Sequence, residues 1–252
     1  MKILYYDCFA GISGDMNLAA MLDLGVDVHY LQQELSKLDL ADEFNLHVVQ
    51  DKKKGISGTK VTVQLTKTSK SGHHHSHRNI NDIKEIITDS SLGPNIKKTA
   101  VDTFMHIACA EAAVHGKSIN EVHFHEVGAT DSIVDIVGGA ICYHKLEIEK
   151  VLAKPVELGG GFIKCAHGTM PVPAPATVEI LKNCPVTIGA VQHEATTPTG
   201  AAIIKTLVES FVPQAEFTIL KTGYGIGHRD ADLPNMLRVF LGELKNEWGK
   251  CR

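Results

Sequence analysis

Apolar residues along this chain switch between a two-residue and a three-to-four-residue spacing, and each switch marks an element. Residues 2–6 are apolar after Lys2 and read as a buried strand. The strand runs into Asp7-Cys8-Phe9-Ala10-Gly11-Ile12-Ser13-Gly14-Asp15, after which Met16, Leu18, Ala19, Met21 and Leu22 predict a helix that stops at Gly25. Leu31, Leu35 and Leu38 keep helical spacing over 28–38. Residues 44–50 and 59–65 read as strands joined through Gly55 and Gly58, with Val61, Val63 and Leu65 alternating with polar neighbours. Helices follow over 81–88 and 96–114, the second closed by Gly116, and another starts near Thr130 or Asp131. Residues 151–157 and 162–165 read as strands around Gly159-Gly160-Gly161. Pro171, Pro173 and Pro175 lead into a helix to about Leu181, where an early proline is tolerated because its missing N–H is not needed. A helix over 199–211 and strands over 217–222 and 236–241 close the chain. The irregular alternation predicts an α/β fold of mixed α+β character in two lobes, with no internal repeat.

Composition narrows the class. The chain has 252 residues, 44% hydrophobic and 21% charged, enough for a sizeable core. A formal net charge of −4 gives no reason to expect nucleic acid or an anionic membrane as partner. Six cysteines lie far apart without a Cys-x-x-Cys pair, which argues against a zinc ribbon or a disulfide framework. No apolar run suits a signal peptide or a membrane span, so the expected location is cytoplasmic.

Chemistry concentrates in His123-Phe124-His125-Glu126-Val127-Gly128-Ala129-Thr130-Asp131-Ser132-Ile133-Val134-Asp135. If residues 122–126 are extended, His123 and His125 share one face and Phe124 takes the other. Asp131 and Asp135, four apart, share a face of the following helix. Imidazoles and carboxylates meeting at a strand–turn–helix junction suit a first-row divalent metal. The structural alternative makes Asp131 a helix-start partner and gives the histidines ordinary hydrogen bonds. Asp135 resists it, because it interrupts Ile133-Val134 and Ile136-Val137, where a lone buried carboxylate is costly.

Other segments add candidates. Gly11, Ser13, Gly14 and Asp15 form a strand-to-helix turn whose amides could approach an anion, although its spacing is neither a Walker loop nor a Rossmann fingerprint. Asp7 and Asp15 flank it and could share a divalent ion. The segment Thr66 to Arg78 is a polar loop with no core-forming residue between Ser69 and Asn79. It carries His73, His74, His75 and His77, an imidazole cluster suited to nickel, copper or zinc. Glu111 and His115 stand four apart near the end of a long helix, just before the histidine-rich stretch. Thr197, Thr199 and Gly200 open a helix and could present hydroxyls and amides to an anion, or simply cap it.

Together these segments closely resemble the LarC family of nickel-insertion proteins. The resemblance is carried by Gly11-Ile12-Ser13-Gly14-Asp15-Met16, Val114-His115-Gly116, residues 122–129 and 131–135, Ala166-His167-Gly168, residues 171–176 and residues 197–202, with the histidine loop as a family feature. It implies a nickel chelatase (a lyase) of cofactor biosynthesis. Such an enzyme inserts nickel into pyridinium-3,5-bisthiocarboxylic acid mononucleotide, forming the nickel-pincer nucleotide of lactate racemase through one metal–carbon and two metal–sulfur bonds. It further implies CTP hydrolysis with manganese or magnesium in a C-terminal domain, so that residues 1–252 correspond to the nickel-handling region. Partners would be nickel, the mononucleotide and a recipient such as lactate racemase, in a homo-oligomer.

In this reading the histidine loop gathers nickel, and His123, His125 and Asp131 hold or pass the ion. Asp135 or Glu126 takes the ring proton, while the glycine turn and Thr197 to Gly200 seat the phosphate. A nickel store or metallochaperone without catalysis, and a metal-dependent hydrolase of a nucleotide-like phosphate, are the rival readings.

Overall fold

The computed structural model describes residues 1–66, 78–122, 124, 128–165 and 168–244. Its centre is a seven-stranded mixed sheet in the order β2-β3-β10-β11-β1-β4-β9. These strands are β1 (Lys2–Asp7), β2 (Phe44–Lys53), β3 (Ile56–Leu65), β4 (Lys150–Ala153), β9 (Ser210–Phe211), β10 (Thr218–Ile226) and β11 (Met236–Glu243). β1 pairs antiparallel with β11, which pairs antiparallel with β10. β1 and β10 therefore run the same way, and the segments after both leave the sheet on one side.

Alternation along β1 divides the two faces of the sheet. Leu4 and Tyr6 enter a large core shared with the helices, while Ile3 and Tyr5 join Leu152, Phe217 and Phe240 in a small cluster on the other face. Helix α1 (Gly14–Asp23) lies against β3 and β10, and α5 (Thr130–Lys145) packs on α1. Gly138 lets the two helices approach, since a Cβ there would stand 3.1 Å from Leu18. Around this pair lie α2 (Val28–Leu35), α3 (Ile80–Asp89), α4 (Pro94–His115), α6 (Pro175–Ile180) and α7 (Pro198–Leu207). Two small sheets, β5 (Val156–Glu157) with β8 (Val186–Thr187) and β6 (Phe162–Cys165) with β7 (Gly168–Pro171), complete the described part.

The α/β class is as expected. The principal core runs as one cluster from Leu4 to Leu241, so both ends of the sequence share it. The strand expected over 151–157 is two strands, because Pro155 cannot donate to a ladder; β5 leaves the main sheet to pair with β8. The helix expected over 199–211 ends at Leu207, where Val208 turns extended and Ser210 pairs with Leu152 of β4. The helix over 28–38 ends at Leu35, with Leu38 buried just beyond it.

Candidate functional site

A cleft of about 620 Å³ opens where β1 and β10 end and several helices begin. Ser13, Gly14 and Asp15 reach it from the start of α1, Asp131, Ser132 and Asp135 from the first turns of α5, and Thr197, Pro198 and Thr199 from the start of α7. Helix N-termini carry partial positive charge, so their convergence favours anionic groups. Val61, Val63, Phe124, Ile163 and Met170 give the cleft an apolar wall. Asp15, Glu111, Asp131, Asp135 and Glu194 supply carboxylates, His115 and His228 supply imidazoles, and no described lining residue is Lys or Arg.

The start of α5 is fixed from outside. Arg78 donates to both carboxylate oxygens of Glu43 at 3.0 Å, and the Thr130 hydroxyl donates to Glu43 Oε2 at 2.5 Å. This anchor sets the helix phase and puts Asp131 and Asp135 on the cleft side. Asp135 keeps partial contact with the cleft, but its Oδ1 is sealed from solvent and has no hydrogen-bond partner among the described residues. Desolvation first, and then the negative charges of Asp15 and Asp131, push its carboxyl well above the ordinary carboxylate range. Gly14 makes room for it, since a Cβ there would lie 2.7 Å from the Asp135 Cβ and 2.8 Å from Oδ2.

Asp15 is organised differently. It accepts from the Ser13 hydroxyl through Oδ1 and pairs with His228 Nε2 at 3.3 Å through Oδ2. On another part of the lining, Glu111 and His115 pair at 3.2 Å one turn apart.

The remaining wall is a strap over residues 187–197. Glu157, buried, accepts from the Gly159 and Ala190 amides at 3.0 Å each and from the Thr187 hydroxyl at 2.6 Å. The Thr196 hydroxyl donates to the Glu157 carbonyl at 2.6 Å, and the Thr197 amide donates to Ile12 O at 3.1 Å. Glu194 and Thr197 are thereby held at the rim.

Of the residues singled out by sequence, Ser13, Gly14, Asp15, Asp131, Asp135, Thr197 and Thr199 meet at this cleft, as do Glu111 and His115. Gly11 and Gly200 do not line it; they let the strap cross the first turn. A Cβ on Gly11 would be 2.0 Å from Ala195 O, and one on Gly200 would be 2.1 Å from Ile12 O. Thr197 caps α7 by accepting from the Gly200 amide at 3.2 Å and shares a 2.7 Å hydroxyl contact with Thr199. Asp7 is not a partner of Asp15 in the cleft. It is buried against Arg238 Nε at 2.9 Å and Lys154 Nζ at 3.4 Å. His73, His74, His75, His77, His123, His125 and Glu126 lie outside the described residues. Among the described residues no group of three or more His, Cys, Asp or Glu is arranged to hold a metal ion. Sequence reasoning missed His228 and Glu194, each a single residue in a loop with no local pattern.

A family profile described as "Nickel insertion protein" matches residues 4–251. The chain belongs to the nickel insertion protein family. It is 56% identical over 249 residues to the pyridinium-3,5-bisthiocarboxylic acid mononucleotide nickel insertion protein of Clostridium kluyveri, covering 96% of this chain and 62% of that relative. Proteins of the same name from Clostridium acetobutylicum and Akkermansia muciniphila are 53% and 50% identical, over 96% and 98% of this chain and 64% and 62% of theirs. This nickel insertion family chain thus spans 62–64% of the length of these relatives. No solved structure matches it.

Proposed function

We propose that the cleft inserts nickel into pyridinium-3,5-bisthiocarboxylic acid mononucleotide, the substrate in the relatives' names. The observation that carries this reading is the Asp135 carboxyl, held without a described counter-cation between two other carboxylates beside an apolar wall. Such an arrangement attracts a divalent cation and offers a proton acceptor once the cation has arrived.

The chemistry balances simply. A nickel dication meets two thiocarboxylate sulfurs and the ring carbon between them; two nickel–sulfur bonds and one nickel–carbon bond form, and the ring carbon gives up its proton. Burial and the charges of Asp15 and Asp131 favour the protonated form of the Asp135 carboxyl. A dication beside Asp15 and Asp131 reverses that electrostatic balance, so Asp135 releases its proton and can accept the one from the ring. Glu126 is the second candidate base in this reading. Val61, Val63 and Phe124 would face the pyridinium ring. The α7 start, with Thr197 and Thr199, would take the phosphate. His73, His74, His75 and His77 would gather nickel, and His123, His125 and Asp131 would pass it on.

This makes the region a nickel chelatase supplying a nickel-pincer nucleotide to lactate racemase or another recipient. Cytoplasmic location and homo-oligomer assembly are part of the same reading; among the described residues no helix is long and apolar enough to cross a membrane. CTP with manganese or magnesium rests on the family resemblance alone. The described lining has five acidic side chains and no Lys or Arg, which does not fit a nucleoside triphosphate, so CTP is not assigned to this cleft.

The test is to incubate the full-length protein with nickel and the mononucleotide, with and without CTP, and to read the nickel nucleotide by mass. Product formation supports insertion. Tight nickel binding without product would favour a store, and nickel-independent phosphate release from a simple ester would favour a hydrolase.

A further inference from the structure

Nickel(II) bound by strong donors prefers a square-planar arrangement of four. The bisthiocarboxylated ring supplies three of them, two sulfurs and the carbon between, all in its own plane. One in-plane position is left for the protein. An imidazole nitrogen is the side-chain donor best suited to nickel, and two described imidazoles line the cleft, His115 and His228.

The position of the proton acceptor separates them. The ring carbon that loses its proton is the carbon that nickel binds, so ligand and base must serve the same atom. Asp135 packs against Gly14, the residue just before Asp15, where an added Cβ would lie 2.8 Å from the Asp135 Oδ2. His228 is paired with Asp15, whereas His115 is paired with Glu111 on α4. His228 thus belongs to the carboxylate group that surrounds the base. The contact also positions the ring: Nε2 faces Asp15 Oδ2, which leaves Nδ1 for the ion. A carboxylate behind an imidazole in this way fixes its tautomer and strengthens it as a ligand. Topology accounts for the meeting, because β1 and β10 run the same way and deliver Asp15 and His228 to one side of the sheet. The His228 side chain is half exposed at the rim, so it can engage the ion without a rearrangement of the core.

We propose that His228 is the fourth nickel ligand, binding the ion through its imidazole as the pincer closes and keeping it until the product leaves. The proposal rests on the nickel-insertion reading and names a residue outside the motifs that suggested it.

The test uses the full-length protein, the nickel-free mononucleotide and the finished nickel nucleotide as separate ligands. Binding to the wild type should shift the absorption bands of the nickel nucleotide, because a nitrogen donor replaces water. His228→Ala should leave those bands as they are in buffer and weaken nickel-nucleotide binding by about tenfold or more. Binding of the nickel-free precursor should change by no more than about twofold, and added imidazole should restore the band shift. Equal band shifts in the variant and the wild type would overturn the proposal while leaving the insertion reading intact. Failure of the wild type to bind the precursor would overturn the insertion reading first. Loss of precursor binding in both His228→Ala and His228→Gln would give His228 a role in cleft shape and also overturn the proposal.

Discussion

Asp7 and Asp135 are both withdrawn from water, and they are opposites. Asp7 ends β1 against Arg238 and Lys154, two cations for one carboxylate. Asp135 has two carboxylates for neighbours, and its Oδ1 has no described partner. A buried charge with its counter-charge in place holds elements together; here Arg238 on β11 ties to the end of β1. A desolvated carboxyl among like charges has nothing among the described side chains to offset its cost. Burial alone does not separate structural from chemical carboxylates; the sign of their neighbours does.

Breaking the structural member should cost most. Asp7→Ala leaves Arg238 and Lys154 facing each other beside a buried strand end. It should lower unfolding free energy by about 3 kcal/mol, toward the low end for a broken buried pair because both cations reach solvent. Denaturant titration measures this.

Glu157 is an intermediate case, a buried carboxylate satisfied by three hydrogen-bond donors with no cation paired to it among the described residues. Glu157→Gln keeps the shape but turns an N–H₂ toward donors, so a loss of about 2 kcal/mol is expected. Because Glu157 anchors the strap carrying Glu194 and Thr197, the same variant should bind the mononucleotide more weakly in calorimetry.

Asp135→Asn should go the other way and raise stability by about 1–2 kcal/mol at pH 7.5. The sign follows from linkage. A carboxyl whose folded pKa lies above its unfolded value stabilises the fold most below the unfolded value, and that stability drains away as pH rises toward the folded pKa. The advantage of asparagine should therefore be greatest at neutral pH and shrink toward pH 4, which paired thermal melts across that range will reveal. The smallest expected effect on stability is that of replacing His73, His74, His75 and His77 together with alanine. Melting should move by only a few degrees, while equilibrium dialysis shows fewer nickel ions bound.

How much of this was legible beforehand follows from the range of each interaction. Asp135 stood out because it breaks a local apolar run, and Asp15, Asp131, Thr197 and Thr199 because they sit at helix starts. The α/β class followed from the alternation of periods. The Asp7–Arg238 pair spans 231 residues and depends on β1–β11 register, which no local pattern encodes. His228 was invisible for the same reason, and Glu157 looked like the end of a strand. In sequence Gly11 and Gly200 suit an anion-binding turn as well as a packing role, because glycine at a turn admits both; contact between distant backbones favours packing.

Asp135 is expected to serve metal insertion at the expense of stability. The most direct test compares wild type and Asp135→Asn in full-length protein supplied with nickel and the bisthiocarboxylated mononucleotide. Nickel nucleotide is followed by mass, and melting is recorded on the same samples. The expected variant is at least as stable as wild type, binds the precursor and forms no nickel nucleotide. A stable variant that forms it at the wild-type rate would contradict the claim and leave Asp135 a polar residue of the core.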